Sequence, residues 1–514
     1  MSRQIAALLT SNQISTPNEA EAFDFIRWML SDGWERYQQH LMNQRKSTEE
    51  DINARPWKLP NATKGKEYRS EDIPIPSGMK IVGIKGLDEV GLKWEQPGDS
   101  ISISGKPTRA GDFTITIQFQ YTKYEGKELE GRPRPLFERK IPFCVNPNSR
   151  DLWKNVPTSR DVPYYKEDHV CEYVKVEAGA DGTPRKNIVA ASKRGRSHAQ
   201  DAEQPRDDHF QLFHSNDNEW YIIAVADGAG SAEFSHKGSE IACRTVVDYC
   251  RGKLMNASDL EAKIRDYHSA ENEESARKIV GDVLYDILCR AARSAYNAIA
   301  EEAKRADAEL KAEPKDSDAT RLHTFCKKKA IRDIAIRDFA TTLLLAICKK
   351  FDFGWFVASF WVGDGAMCIY NKEAQTFKLL GTPDEGEFSG QTRFLTMPEI
   401  FDDKRENKAG RKSPPLLYER LRFEIVEDFT ALMMMTDGVS DPHFGTDANL
   451  NNINKWNEFW NALQEGCPDD ETPDDEKPKV ELTDGSEASK DQLLHWLDFW
   501  QTGEHDDRTI AILY

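Results

Sequence analysis

The chain has 514 residues, a formal charge of −18, 39% hydrophobic residues and 10% aromatic residues. At roughly 100–200 residues per domain this length predicts about three domains, and the aromatic content excludes a wholly disordered chain. The acidic balance repels phosphate backbones and anionic headgroups, so neither a nucleic acid nor a membrane surface is expected as a partner.

No apolar run reaches the roughly 18 residues that a membrane helix requires. The opening residues, Met1 to Leu9, hold too short an apolar stretch for a secretory signal. Nine cysteines include no C-x-x-C pair, so a zinc site is not expected. Cys243, Cys289, Cys348 and Cys368 lie in apolar surroundings, where a thiol behaves as a small hydrophobe. A reduced, cytoplasmic location is the expectation.

In chain order, residues 1–55 form a short helical start. Ala22, Phe23, Phe25, Ile26, Trp28, Met29, Leu30 and Trp34 keep to one side of a helix from about Glu19 to Asn43. Residues 56–148 change to period-two alternation, most regularly in Phe113-Thr-Ile-Thr-Ile-Gln-Phe-Gln-Tyr, with Gly and Pro at turns. The stretch Ile101-Ser-Ile-Ser-Gly-Lys-Pro-Thr-Arg-Ala-Gly-Asp-Phe-Thr-Ile, preceded by Leu59-Pro-Asn-Ala-Thr-Lys-Gly, resembles the bacterial immunoglobulin-like modules. That resemblance implies an all-β immunoglobulin-like sandwich, with protein docking as its role. Residues 149–180, with Pro157 and Pro163, read as a linker.

The remainder, 181–514, alternates apolar strands with helical pattern. A charged helical insertion over 260–335, broken near Pro314, is expected to be a solvated surface hairpin. A second insertion, 465–491, has eleven acidic residues against three lysines and is expected to be loosely held.

Three apolar strands end directly in Asp-Gly: Ile222-Ile-Ala-Val-Ala-Asp227-Gly228, Phe360-Trp-Val-Gly-Asp364-Gly365 and Leu432-Met-Met-Met-Thr-Asp437-Gly438. A carboxylate pair, Asp506-Asp507, precedes the final strand. Strand ends hold side chains rigidly, and a following glycine lets the backbone turn close to a bound ion. Carboxylates converging this way form an all-oxygen site suited to hard cations, without which they could not all stay ionised. A single Asp-Gly is a common turn signal; the argument rests on the set.

Together, Arg206-Asp207-Asp208, Val225-Ala-Asp227-Gly228-Ala-Gly-Ser, Phe339-Ala-Thr-Thr, Val362-Gly-Asp364-Gly, Met435-Thr-Asp437-Gly438-Val-Ser-Asp441 and His505-Asp506-Asp-Arg-Thr resemble the type 2C metal-dependent protein phosphatases, most closely their bacterial branch. The resemblance implies an α+β catalytic domain, an αββα-type sandwich of two antiparallel sheets flanked by helices. It implies two Mn²⁺ or Mg²⁺ ions, with a third more weakly held. Asp227 then matches the carboxylate that bridges the ions, Gly228 the residue whose carbonyl binds the second, and Asp437 and Asp506 the carboxylates that complete the first ion's shell. Asp364 matches the aspartate of the third site, and Asp207 and Asp208 the pair that reaches the metals largely through water. The phosphate-binding arginine is matched by Arg196, with Arg206 as competitor.

The activity implied is hydrolysis of phosphoserine and phosphothreonine in proteins by direct attack of a water or hydroxide bridging two metals. A Ser/Thr kinase or its targets are the implied partners. Four positions depart from the family pattern: Ala229 for a histidine, Asp207 for Glu, Ala340 for Gly and Asp507 for Asn. None removes a metal-binding carboxylate. The alternatives are a catalytically silent relative that scaffolds or senses phosphoproteins, and an adhesion protein led by the immunoglobulin-like module.

Overall fold

In the computed structural model, which describes residues 19–55, 57–121, 136–179, 182–383, 392–401, 416–467, 477–483 and 485–514, the chain divides into two units, Met1–Leu152 and Trp153–Tyr514. The opening stretch read for a signal and residues 468–476 of the acidic insertion lie outside the described residues.

The first unit begins with helix α1, Glu19–Ala54. It runs eleven residues past the expected end at Asn43, because the polar stretch that follows includes the helix formers Gln44, Arg45, Lys46, Glu49 and Glu50 and has no Gly or Pro before Pro56. Thr48 and Ile52, one turn apart, are buried, while Trp28, Leu30, Trp34 and Met42 stay exposed. Eight strands follow among the described residues: β1 Ala62–Thr63, β2 Tyr68–Arg69, β3 Ile73–Pro74, β4 Met79–Lys85, β5 Leu92–Glu95, β6 Ser100–Gly105, β7 Gly111–Tyr121 and β8 Phe137–Asn146. One sheet has the order β1-β8-β7-β4; in the other, β6 pairs with β2 and β3 along one edge and β5 along the other. Ile115, Ile117 and Phe119 of β7 meet Ile101 and Ile103 of β6 in one core, so the period-two alternation does give each strand a single apolar face.

Among its described residues the second unit has eleven strands: β9 His169–Val174, β10 Ile188–Lys193, β11 His209–His214, β12 Tyr221–Ala226, β13 Leu343–Phe351, β14 Gly354–Val362, β15 Ala366–Asn371, β16 Thr376–Leu379, β17 Leu421–Val426, β18 Ala431–Met435 and β19 Arg508–Leu513. They form a six-stranded sheet, β16-β15-β18-β19-β10-β9, and a five-stranded sheet, β11-β12-β13-β14-β17, with every neighbouring pair antiparallel. The central strands read as unbroken apolar runs because both faces are covered. In β12, Tyr221, Ile223 and Val225 point to the core between the sheets, while Ile222, Ala224 and Ala226 point to helices. In β18, Leu432 and Met434 take the inner face and Ala431, Met433 and Met435 the outer. The result is a mixed α+β, helix–sheet–sheet–helix layering.

Helices α2 Ser235–Leu254, α3 Ser258–His268, α4 Glu273–Leu284, α5 Arg290–Lys311 and α6 Ser317–Lys329 cover the five-stranded sheet; α7 Asp437–Phe444, α8 Ile453–Glu465 and α9 Ser489–Trp496 cover the other. The charged insertion is therefore not a solvated hairpin. Ile264, Val280, Leu284, Leu288, Ala295 and Ile299 are fully buried, because its charges keep to one side of each helix and small alanines line the other. The described residues of the acidic stretch likewise differ from expectation: Val480 and Ser489 are buried, the Val480 N–H bonds the Leu463 carbonyl at 2.8 Å, and α9 begins at Ser489.

The stretch 149–180 is not a free linker either. It carries β9, paired along its whole length with β10. Before it, residues 156–168 form a strap bonded to the unit: Val156 N–H to Ala199 O at 2.8 Å, Arg194 Nη1 to Val156 O at 2.7 Å, and His236 Nε2 with Pro163 O at 3.0 Å. Its prolines remove backbone donors but leave carbonyls; the Pro163 carbonyl pairs with His236, and the arginine takes up the carbonyl of Val156, just before Pro157.

Candidate metal centre

Asp227 follows β12, and its main chain is fixed on three sides. Its N–H donates to Thr342 Oγ1 (2.8 Å), and its carbonyl accepts the Thr342 N–H (2.7 Å) and the Thr341 hydroxyl (2.9 Å). Gly228 makes a bridge to Thr341. The Phe339-Ala-Thr-Thr segment holds this turn, and β13 begins after it at Leu343. Asp364 lies in the turn between β14 and β15 and accepts a hydrogen bond from Thr392. Asp437 opens α7, where its Oδ1 accepts the Gly438 N–H at 2.6 Å.

Carboxylate oxygens of Asp227, Asp364 and Asp437 all lie within 4.8 Å of one another. Asp208, just before β11, is fully buried: Oδ2 accepts from Thr436 Oγ1 at 2.9 Å, and Oδ1 has no hydrogen-bond partner. Desolvation, with the neighbouring charges of Asp437, Asp208 and Asp506, pushes the Asp227 carboxyl well above the usual range. Desolvation and then Asp364, Asp506 and Asp208 do the same to Asp437. Asp208 is raised to about 6 by burial and then by Asp507, and Asp506 is raised by burial and then by Asp507. Crowded, partly desolvated carboxylates with one orphaned oxygen fit a cation: they are costly alone and favourable around positive charge.

Two glycines let the Asp506–Asp507 loop into this space. A Cβ on Gly438 would stand 1.9 Å from the Asp507 carbonyl oxygen, and one on Gly195 would stand 2.3 Å from the Asp506 carbonyl carbon. Asp507 is fully used by its surroundings. Its Oδ1 accepts the Gly195 N–H at 2.5 Å, its Oδ2 accepts the Asp207 N–H, and His198 Nδ1 lies 3.2 Å from Oδ1. These donors hold the Asp507 carboxyl down to about 2, although burial opposes them, and Asp507 in turn raises His198 to about 10.

The Asp207 side chain is not brought to the Asp227 group. It faces His198 Nε2 (3.8 Å) and His236 Nδ1 (3.9 Å), and burial raises its carboxyl to about 8. Arg196 is gripped by the 498–500 loop: Nη2 donates to Asp498 O and Oδ1, both at 2.8 Å, and the guanidinium lies over Trp500. Arg206, 2% exposed, donates to the Glu167 carbonyl and to Ser192 Oγ. Lys166, from the strap, is enclosed beneath Asp207 and Asp208; burial lowers its ammonium to about 7. Neither Lys166 nor the Asp507–His198 contact stood out in the sequence. The one usable signal was the second aspartate of Asp506-Asp507.

The profile of the family described as Protein phosphatase 2C matches residues 194–476. That is more than half of the chain, and the chain belongs to this family. The match takes in Asp208, Asp227, Asp364 and Asp437 and stops before Asp506. No curated protein sequence matches the chain. Among solved structures, the catalytic domain of the serine threonine protein phosphatase PstP with two manganese ions is 13% identical, with 67% of this chain and 98% of that one covered and a TM-score of 0.31. The S. agalactiae serine/threonine phosphatase gives 13%, 67%, 99% and 0.30 in the same order. The Toxoplasma gondii serine-threonine phosphatase 2C gives 14%, 67%, 98% and 0.32. The family assignment rests on the profile.

Proposed function

We propose that this chain is a metal-dependent phosphatase acting on phosphoserine and phosphothreonine in proteins. The observation that carries the reading is the gathering of Asp227, Asp364 and Asp437 within 4.8 Å at the ends of buried strands, beside the orphaned oxygen of Asp208. Such an all-oxygen set suits Mn²⁺ or Mg²⁺. Asp208, Asp227, Gly228, Asp437 and Asp506 would hold two ions, and Asp364 a third. Two cations bound there would supply a water acidic enough to lose its proton near neutral pH.

The chain's own residues provide position. Thr341 and Thr342 lock the Asp227 backbone, and Asp507 locks the loop that carries Asp506. Arg196 is the better candidate for orienting the phosphoryl group. Its side chain keeps 17% exposure, whereas Arg206 is enclosed and its donors are taken up by the backbone and Ser192. With Ala229 where a histidine could stand, no side chain on that turn can protonate the leaving oxygen.

The first unit, read as an immunoglobulin-like docking module, would select phosphoprotein targets or a partner kinase. Nine free thiols and the Asp227-Gly-Ala-Gly-Ser231 sequence favour a cytoplasmic protein of bacterial type. Among the described residues, no helix is long and apolar enough to cross a membrane.

The purified chain should release phosphate from p-nitrophenyl phosphate and from phosphothreonine peptides with Mn²⁺, and stop on EDTA addition. Asp437→Ala should fall to the metal-free background. A wild type that binds Mn²⁺ yet turns over nothing with any divalent ion would mark a silent relative that senses or scaffolds.

A further inference from the structure

We propose that Lys166 is a positioning residue of the metal centre, holding the Asp207–Asp208 backbone so that the Asp208 carboxylate stays turned to its neighbours. The inference rests on reading those carboxylates as a metal site. Nζ donates to the Asp208 carbonyl at 2.8 Å, to the His236 carbonyl at 3.0 Å and to Ser239 Oγ at 3.2 Å, with the Asp207 carbonyl at 3.5 Å. An ammonium has three protons, and the three short contacts use them all.

The partners are backbone carbonyls and a hydroxyl; none is a carboxylate. A buried lysine placed only for stability would gain more from an ion partner, or would be replaced by an apolar chain that needs no desolvation. Here the charge is spent on main-chain groups of two segments that flank the site. One carries Asp208; the other is the start of α2, which begins at Ser235, after the Ala229–Phe234 loop that follows Asp227-Gly228.

Fixing the carbonyls of consecutive residues fixes the peptide planes around Asp208, and with them the direction of its side chain. Oδ2 then meets Thr436, and Oδ1 is left for a cation. Ser239 reinforces the arrangement by donating to the Asp207 carbonyl. The strap is thus a working part of the centre, supplied from outside the matched residues 194–476.

The test uses the full chain with Lys166→Met, which keeps the length and removes charge and donors. Mn²⁺ binding is followed by the paramagnetic resonance signal of the free ion, alongside melting temperature and turnover at saturating Mn²⁺. Outer partners of metal ligands are worth about tenfold to a hundredfold in affinity, and a loss of that order is expected, recovered in part by excess Mn²⁺. Trp456→Phe, in the core beneath the six-stranded sheet, should lower the melting temperature and leave Mn²⁺ affinity unchanged.

Wild-type Mn²⁺ affinity in Lys166→Met, or an equal loss in Trp456→Phe, would overturn the proposal. Should Lys166→Met not fold, Lys166→Arg decides: it keeps charge and donors in a different shape. Weakened Mn²⁺ binding by the folded arginine variant supports positioning, and wild-type affinity overturns it. A wild type that binds no Mn²⁺ and releases no phosphate would instead defeat the phosphatase reading.

Discussion

Asp507 makes clear why one carboxylate at this site sits low while its neighbours sit high. It receives two backbone N–H groups and lies against His198; Asp227 and Asp437 meet other carboxylates instead. In the metal-free chain, Asp227, Asp437 and Asp207 (to about 8) keep protons at a pH where an unfolded chain has released them. The folded state therefore binds more protons above the ordinary carboxylate range, and stability present in acid is lost as pH rises toward neutral. His198, holding its proton to about 10, acts in the same direction, while Lys166, at about 7, opposes it only above neutrality. Cations replace those protons. Mn²⁺ should accordingly raise the melting temperature more at pH 8 than at pH 6; equal increments would contradict the assignment. The Asp-Gly turns were legible because each ends an apolar run. Lys166 was not, because one lysine among prolines and mixed charge carries no period.

At the scale of elements, the helical insertion shows where pattern reading fails. Its composition is that of a solvated surface, yet Ala291, Ala292, Ala295 and Ile299 of α5 pack under the five-stranded sheet. Small residues leave a weak hydrophobic signal while permitting close helix approach. Ile299→Ala should cost about 2–5 kcal/mol in urea unfolding, as an uncollapsed core cavity does. Ile279→Ala on α4, 51% exposed, should stay within about 0.5 kcal/mol. Similar costs at both positions would return the insertion to the surface. The strap was hidden for a related reason: its prolines read as linker, and only in the folded chain are its carbonyls seen to serve Arg194 and His236.

For the whole molecule, the two units have separate apolar cores, one around Ile115, Phe119 and Phe143 and the others around the two large sheets. Each should fold without the other's contacts. A chain beginning at Trp153, which keeps the strap intact, should hydrolyse p-nitrophenyl phosphate with Mn²⁺ as the full chain does and lose action on a native phosphoprotein target. Full action on that target would remove the docking role of the first unit. A cut near Arg160, the boundary that a free linker would allow, severs Val156 and Thr158 from Arg194 and Asp168 and is expected to impair the site itself.

The position of β19 bears on how the second unit is assembled. It comes after every other described strand in the sequence, yet it lies between β18 and β10, in the middle of the six-stranded sheet. Until Arg508–Leu513 is in place, the β9–β10 hairpin and the β15, β16 and β18 group share no hydrogen-bonded neighbour, and Asp506 is not yet beside Asp437. The six-stranded sheet, and the carboxylate cluster at its end, are therefore completed only when β19 docks between β18 and β10.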